Sequence, residues 1–482
     1  MRREPKRGAY LAFWVLLFVL FPLVTMPKAL LEAVPPTLIT FPENGFAEVL
    51  LPKLAVFVVL WGLGAWLCLK RWRSGQFRPL RSGSPLRAPY LWLALFLFGS
   101  TVVSFLNPSS LGLSLPLVSS RYESILFGLL ESAWYALAVL AAGVFSSRAL
   151  KPALPLHLLA AGALAAGLWA LAEAYGVHPM RLFDDTARVG INVQATLGHQ
   201  GYVAAFLAVV LVFWVTWRLL QNRLRPFDVL LVALLTAALV ATGGRAGVLA
   251  AVLTLSALGV YWVRARGRSR YLLLLGAVML IAGALPLLTS SHAQARLDRL
   301  GSAVQGRDPA TSHRLIFWQV GLRGIAQRPL SGYGIDSFGN AAWFFASPEE
   351  AREMVTEFLP RETAETSLRI GRLVLYRGED AGLVLQSLDP YRVHNYLLDI
   401  AFASGVPVAL LFLGFVAASL RALWRERTPL ALATALALLT YLLYGMAWFA
   451  TPNVDPLVWG LLGLGLGSLE PRPAAPEHTG GS

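Results

Sequence analysis

Charge is what this sequence has least of. Only 14% of its 482 residues are Asp, Glu, Lys or Arg, against roughly a quarter in soluble domains. A chain this long cannot coat itself for water with so few charges, which excludes an ordinary cytosolic enzyme and a secreted domain. Cysteine is nearly missing: Cys68 is the single one, so neither an intrachain disulfide nor a cysteine metal cluster is available. By its burial habits Cys68 reads as a packing residue near a helix end. There is no glycine-lysine P-loop, which speaks against ATP hydrolysis. There is no His-Glu-x-x-His and no other strong zinc spacing. No repeat of roughly 20–50 residues and no low-complexity tract is evident.

What is present is apolar. Hydrophobic residues make up 56% of the chain, and they gather into twelve runs of about spanning length, near 9–27, 47–69, 88–106, 124–145, 154–174, 201–217, 228–242, 246–263, 271–290, 396–419, 430–450 and 456–469. This predicts an all-α polytopic membrane protein with about twelve transmembrane helices. The first run is too long for a signal peptide, and Pro27-Lys28 follows it in place of a small-residue cleavage site. Basic residues sort the connections. Arg2, Arg3, Lys6, Arg7, the cluster from Lys70 to Arg87, Arg148, Lys151, Arg218, Arg223, Arg225, Arg264 to Arg270, and Arg421 to Arg427 alternate with the spans on one side. The positive-inside rule makes that side cytoplasmic and puts both termini there. The net charge of +14 is then a topology and headgroup signal, not a sign of nucleic acid.

The long segment 291–394 divides nine spans (1–290) from three (395–470) and lies on the external side, where it reads as a small subdomain. Within it, 348–358 reads as a surface helix with acids in its first turn. The stretch 368–388 reads as two short strands around Arg377-Gly378-Glu379-Asp380. The tail 471–482, rich in Pro, Gly and Ala, is expected to be disordered.

Polar residues collect at external helix ends. Thr242-Gly243-Gly244-Arg245-Ala246-Gly247 joins two spans, with Arg245 at a helix N-terminus. Free N–H groups, the helix dipole and a guanidinium together favour an anion such as phosphate, against the plainer reading of an interfacial arginine. Arg314 and Trp318 stand four apart on one helical face. That pairing suits a phosphate carrying a sugar, or simply a surface arginine packed on a ring. His394-Asn395-Tyr396 opens an external helix. The dipole there opposes imidazolium, as do nearby arginines, so His394 tends towards a neutral ring that can accept a proton. Its plainer role is capping. Arg188 precedes the sixth span and is also external, so four segments place Arg or His on one face. Asp184-Asp185 has the chemistry for a divalent cation, but adjacent loop acids are usually solvated. Glu131, Glu173, Lys53 and Asp399 fall within apolar runs, where each requires a cavity or a partner. Asn395 and Asp399, four apart, share a face near the proposed site.

These blocks resemble the O-antigen ligase and O-antigen polymerase superfamily of bacterial membrane glycosyltransferases. The similarity runs from about residue 185 to 465. Its landmarks, in order, are Thr196-Leu197-Gly198-His199-Gln200-Gly201-Tyr202-Val203-Ala204, then Gly243-Gly244-Arg245-Ala246-Gly247, then Arg314 to Trp318 with Pro329 to Phe338, then His394-Asn395 with Ser404-Gly405. Gly244 stands where the family often has Ser, and His199-Gln200 where Asn-Pro types are usual. The resemblance implies a helical bundle of the membrane glycosyltransferase C type. It also implies transfer of a glycan from a polyprenyl (undecaprenyl) pyrophosphate carrier to an acceptor hydroxyl on the outer face of the cytoplasmic membrane, with no cofactor and no metal. On that reading Arg188, Arg245 and Arg314, with Trp318 and Asn395, bind substrate, and His394 is the base of an inverting displacement. The expected partners are the lipid-linked glycan donor, a glycan or glycolipid acceptor and the bilayer. The competing readings are a protein O-oligosaccharyltransferase, a polyprenyl-linked glycan flippase or transporter, and a structural partner in envelope synthesis. The absence of a repeat between the chain halves weighs against a transporter.

Overall fold

Apolar runs in lipid must satisfy their own backbone hydrogen bonds, and a helix is the local way to do so. The computed structural model describes residues 7–25, 46–77, 79–106, 121–147, 149–177, 193–266, 270–290, 294, 309–335, 337–356, 368–370, 373–377, 383–387 and 392–470. Here the expected runs are helices: α1 (Arg7–Leu23), α2 (Phe46–Arg73), α3 (Arg87–Leu106), α4 (Arg121–Phe145), α5 (Ala153–Ala174), α6 (Gln200–Gln221), α7 (Pro226–Ala241), α8 (Arg245–Arg266) and α9 (Arg270–Thr289). After them come α10 (Pro309–Gln327), α11 (Phe338–Phe345) and α12 (Pro348–Val355). Three strands follow, β1 (Leu368–Ile370), β2 (Leu373–Arg377) and β3 (Leu383–Ser387). The chain closes with α13 (Tyr396–Ser404), α14 (Val406–Glu426), α15 (Pro429–Gly445) and α16 (Asp455–Gly467). Among the described residues, six helices are long and apolar enough to cross a membrane, and six more are apolar but shorter. The architecture is that of a polytopic helical membrane protein.

Burial sorts these helices. In α6 every residue from Gly201 to Leu219 is buried, as befits a helix apolar on all sides. At the other extreme, α9 leaves Leu273, Leu280, Ile281 and Leu288 exposed, a surface made for lipid. Between them α7 packs on both.

The buried charges have named partners. Lys53 donates to the carbonyls of Phe21 (2.7 Å) and Val24 (3.1 Å), closing the C-terminal end of α1. Glu173 accepts from Trp169 Nε1 at 2.9 Å and from the backbone N–H groups of Gln194 (2.9 Å) and Ala195 (2.7 Å). It thereby holds the short turn before α6. Asp455 receives four donors: the hydroxyls of Tyr396 (2.8 Å) and Tyr441 (2.7 Å), the N–H of Thr451 (2.6 Å) and Trp459 Nε1 (3.0 Å).

Two sequence readings need correction or refinement. The run 396–419 is not one helix. It breaks at Gly405, where φ is +86°, and Pro407 then opens α14. A left-handed residue cannot continue a right-handed helix, and an unbroken apolar composition conceals the break. Around Arg377 the sheet has three strands in the order β1-β2-β3, antiparallel, with Ile370 opposite Leu373 and Arg377 opposite Leu383. The acidic-start helix is α12. Ser347 accepts from the Glu350 N–H (3.2 Å), and the Glu350 carboxylate accepts from the Ser347 N–H (2.7 Å). The tail 471–482 lies outside the described residues.

The Gly405 break has a use. The turn after α10 docks on the end of α13: Tyr333 N–H donates to Phe402 O (2.9 Å), Gly334 N–H to Ala403 O (2.8 Å) and Val406 N–H to Pro329 O (2.7 Å). Gly332, at φ +57°, lies so close that a Cβ there would sit 2.5 Å from Ala403 O. This three-bond seam sets α10 against the segment that carries His394.

Candidate active site

His394 lies just before the α13 cap, with φ +59°, an uncommon value for a residue other than glycine. Four bonds hold the turn. Trp318 Nε1 donates to the His394 carbonyl at 3.0 Å. The His394 Nδ1–H donates to the Arg392 carbonyl at 2.9 Å. Asn395 caps α13, accepting from Leu398 N–H at 3.1 Å, while its Nδ2 donates to Met446 O at 3.0 Å. A carbonyl can only accept, so Nδ1 carries the proton of the neutral ring and the lone pair lies on Nε2.

The ring is set among aromatics. Phe317 stacks on it at 5.3 Å between centroids, and Phe449 (4.9 Å) and Trp448 (5.5 Å) approach edge-on. Burial there drives the imidazole pKa down from 6.5 to about 4. The bond to the Arg392 carbonyl opposes that fall, while the charges of Arg314, His199 and His313 add to it. The direction agrees with the sequence expectation. The chief cause is burial.

Trp448 organises the rest. Arg314, one turn before Trp318 on α10, places its guanidinium 5.2 Å from the Trp448 ring. His199, the N-cap of α6, stacks on Trp448 at 5.2 Å and accepts from Gly201 N–H at 3.0 Å. The N-terminus of α8, where Arg245 stands, abuts the same end of α6. A Cβ on Gly244 would meet Ala204 and come within 3.2 Å of Gln200 O, and one on Gly247 would lie 2.8 Å from the Ala204 backbone. The two glycines therefore bring two helix N-termini side by side, a setting that favours anions.

Behind His394, Arg392 is buried between two carboxylates, Asp399 at 2.9 Å and Glu131 of α4 at 3.0 Å. The structure thus brings Arg314, Trp318, His394 and Asn395 together and sets the α8 N-terminus next to His199. Arg188 and the pair Asp184-Asp185 lie outside the described residues. Asn395 has both ends of its amide engaged with backbone, and Asp399 pairs with Arg392. Trp448, Arg392 and the neighbouring Phe317 and Phe449 escape a sequence reading. The one local signal is the aromatic pair Trp448-Phe449 immediately after a span.

Residues 230–360 match the family described as O-antigen ligase. This match supports the resemblance to the O-antigen ligase and polymerase superfamily. The matched segment runs from α7 through α12 and contains Arg245, Arg314 and Trp318; His394 lies beyond it. No curated protein matches the chain. Together with the apolar helices, the match supports a role in glycan transfer at a membrane.

Proposed function

We propose that the protein transfers a glycan from a polyprenyl pyrophosphate carrier to an acceptor hydroxyl, as an O-antigen ligase or polymerase, on the external side of the cytoplasmic membrane. The observation that carries this is His394. It is neutral, with its lone pair on Nε2, and shares the Trp448 aromatic group with Arg314. Twelve spans with both termini cytoplasmic would put this group outside, at the external ends of α6, α8 and α15.

The chemistry follows from the parts. The acceptor oxygen attacks the anomeric carbon as the bond from that carbon to the pyrophosphate oxygen breaks. His394 Nε2 takes the hydroxyl proton. The electron pair of the broken bond leaves on the lipid pyrophosphate, whose charge is met by the guanidiniums of Arg314, Arg245 and Arg188. Guanidiniums can serve here in place of a divalent cation. The approaching pyrophosphate also raises the proton affinity of the imidazole, so the base strengthens when substrate is bound. Trp318 and Asn395 set the turn that aims the ring. No separate nucleophile is assigned, so a single displacement inverts the anomeric configuration.

The test is direct. Purified protein in detergent receives polyprenyl-pyrophosphate-linked glycan, EDTA, no nucleotide and a panel of glycan, glycolipid and peptide acceptors. Product on one acceptor, lost in Arg314→Ala and His394→Ala, supports the reading and names the subclass. Full activity without His394 removes it as the base. Carrier movement in proteoliposomes with no product on any acceptor supports a flippase instead.

A further inference from the structure

Buried polar atoms are nearly always paired, so a group of unpaired ones calls for an explanation. Five such atoms belong to two touching segments beside His394: Gln200 Oε1 at the start of α6, then Tyr444 OH, Trp448 Nε1, Thr451 Oγ1 and Asn453 Oδ1 around the α15–α16 connection. Tyr444, Thr451 and Asn453 are 2%, 1% and 3% exposed. The segments are joined by Asn453 Nδ2, which donates to Leu197 O at 3.0 Å, and by the Trp448 indole, whose Cζ2 edge lies 3.2 Å from where a Gly201 Cβ would sit. The Tyr444 and Trp448 rings stand 6.1 Å apart. The Asn453 amide cannot be turned over, because its nitrogen is already committed to a carbonyl. The oxygen is the atom left over.

Polar satisfaction is within reach in this neighbourhood. Asp455, two residues from Asn453, takes four donors. The unpaired atoms are therefore a distinct set, and their chemistry is mixed. Trp448 Nε1 only donates, Asn453 Oδ1 only accepts, and the hydroxyls of Tyr444 and Thr451 do both. A phosphate offers acceptors alone and would be repelled by the amide oxygen. A sugar offers hydroxyls that donate and accept at once.

We infer that Tyr444, Trp448, Thr451, Asn453 and Gln200 form a sugar subsite, which recognises hydroxyls of the pyranose attached directly to the carrier pyrophosphate. The inference rests on the transferase reading above, and it assigns sugar recognition to this polar group and pyrophosphate recognition to the arginines. The geometry agrees with the order of groups on such a donor. Trp448 touches both Arg314 and His394, so the sugar lies between the cation that holds the leaving group and the base that serves the acceptor.

Binding of two kinds of probe to the full-length protein in detergent tests this. One is bare polyprenyl pyrophosphate. The others carry glucose, galactose or N-acetylglucosamine on the same carrier. Wild type should bind at least one glycosylated carrier about tenfold more tightly than the bare one. Tyr444→Phe and Thr451→Val should each remove most of that gain and leave bare-carrier binding unchanged, which also shows that the variants fold. Arg314→Ala should weaken all probes alike. Equal binding of bare and glycosylated carriers by wild type overturns the subsite while leaving the transferase reading intact. An undiminished gain in both variants overturns it too, since the unpaired atoms would then hold only water. Binding of no carrier at all sinks the transferase reading, and the subsite with it.

Discussion

The pKa of His394 makes the sharpest prediction, because it moves an observable limb of a pH profile. In the free protein the ring titrates at about 4 instead of 6.5. A base must be unprotonated to act, so activity falls as pH drops through its pKa, and lowering that pKa moves the fall to lower pH. At pH 5.5 an ordinary imidazole of pKa 6.5 is only about 9% neutral, while one of pKa 4 is about 97% neutral. The perturbation is therefore acidification from pH 7.5 to 5.5, and the assay is kcat/KM for glycan transfer, which reports the free enzyme. Transfer should keep most of its rate at pH 5.5 and fall below about pH 4.5. A half-maximal point near 6.5 in kcat/KM would refute the reasoning, for it would mean that the aromatic group around the ring does not exclude water. In kcat the limb should lie at higher pH than in kcat/KM, because the bound pyrophosphate adds negative charge beside the ring.

Three further outcomes follow from the packing. Arg392→Met leaves Glu131 and Asp399 facing each other with no cation, and should cost about 3–5 kcal/mol; thermal melting in detergent should show the loss, and adding Glu131→Gln with Asp399→Asn should recover most of it. Asp455→Asn turns an amide NH2 towards two of the four donors, since each carboxylate oxygen takes two, and should cost about 2–3 kcal/mol, read in the same melting assay; an unchanged melting temperature would show that the carboxylate is not the acceptor at this junction. Gly332→Ala puts a Cβ against Ala403 O at a left-handed φ, which costs about 1–2 kcal/mol from the backbone alone. It should also lower the transfer rate by shifting α10, and intact kinetics would mean that the seam does not position Arg314 and Trp318.

The helices are legible in the sequence because burial in lipid leaves the backbone one option, so each apolar run reports its own helix. The exception shows the limit. Nothing in the composition of 396–419 distinguishes a nine-residue α13 from a continuous span, because the break at Gly405 depends on a left-handed φ and on a seam with Pro329 and Tyr333 some seventy residues earlier in the chain. The site divides in the same way. Arg314 and His394 stand out as polar residues near the start of a helical pattern, and local spacing already pairs Arg314 with Trp318. Trp448 and Arg392 do not stand out, since the first matters through the rings of His199 and His394 and the guanidinium of Arg314 on α10, and the second through carboxylates on α4 and α13. Asn395 shows the converse. Its type and place suggest a ligand contact, yet its amide is spent on capping α13 and on Met446.

The left-handed backbone at His394 also decides which inactive variant is informative. Alanine at that position favours a negative φ, so His394→Ala loses the base and at the same time pulls on the Asn395 cap and the bond from Trp318. Asparagine accepts the left-handed region far more readily. His394→Asn should silence the chemistry while keeping the turn, and with it the donor-binding surface. That makes it the variant in which an unreacted donor and acceptor can be caught together.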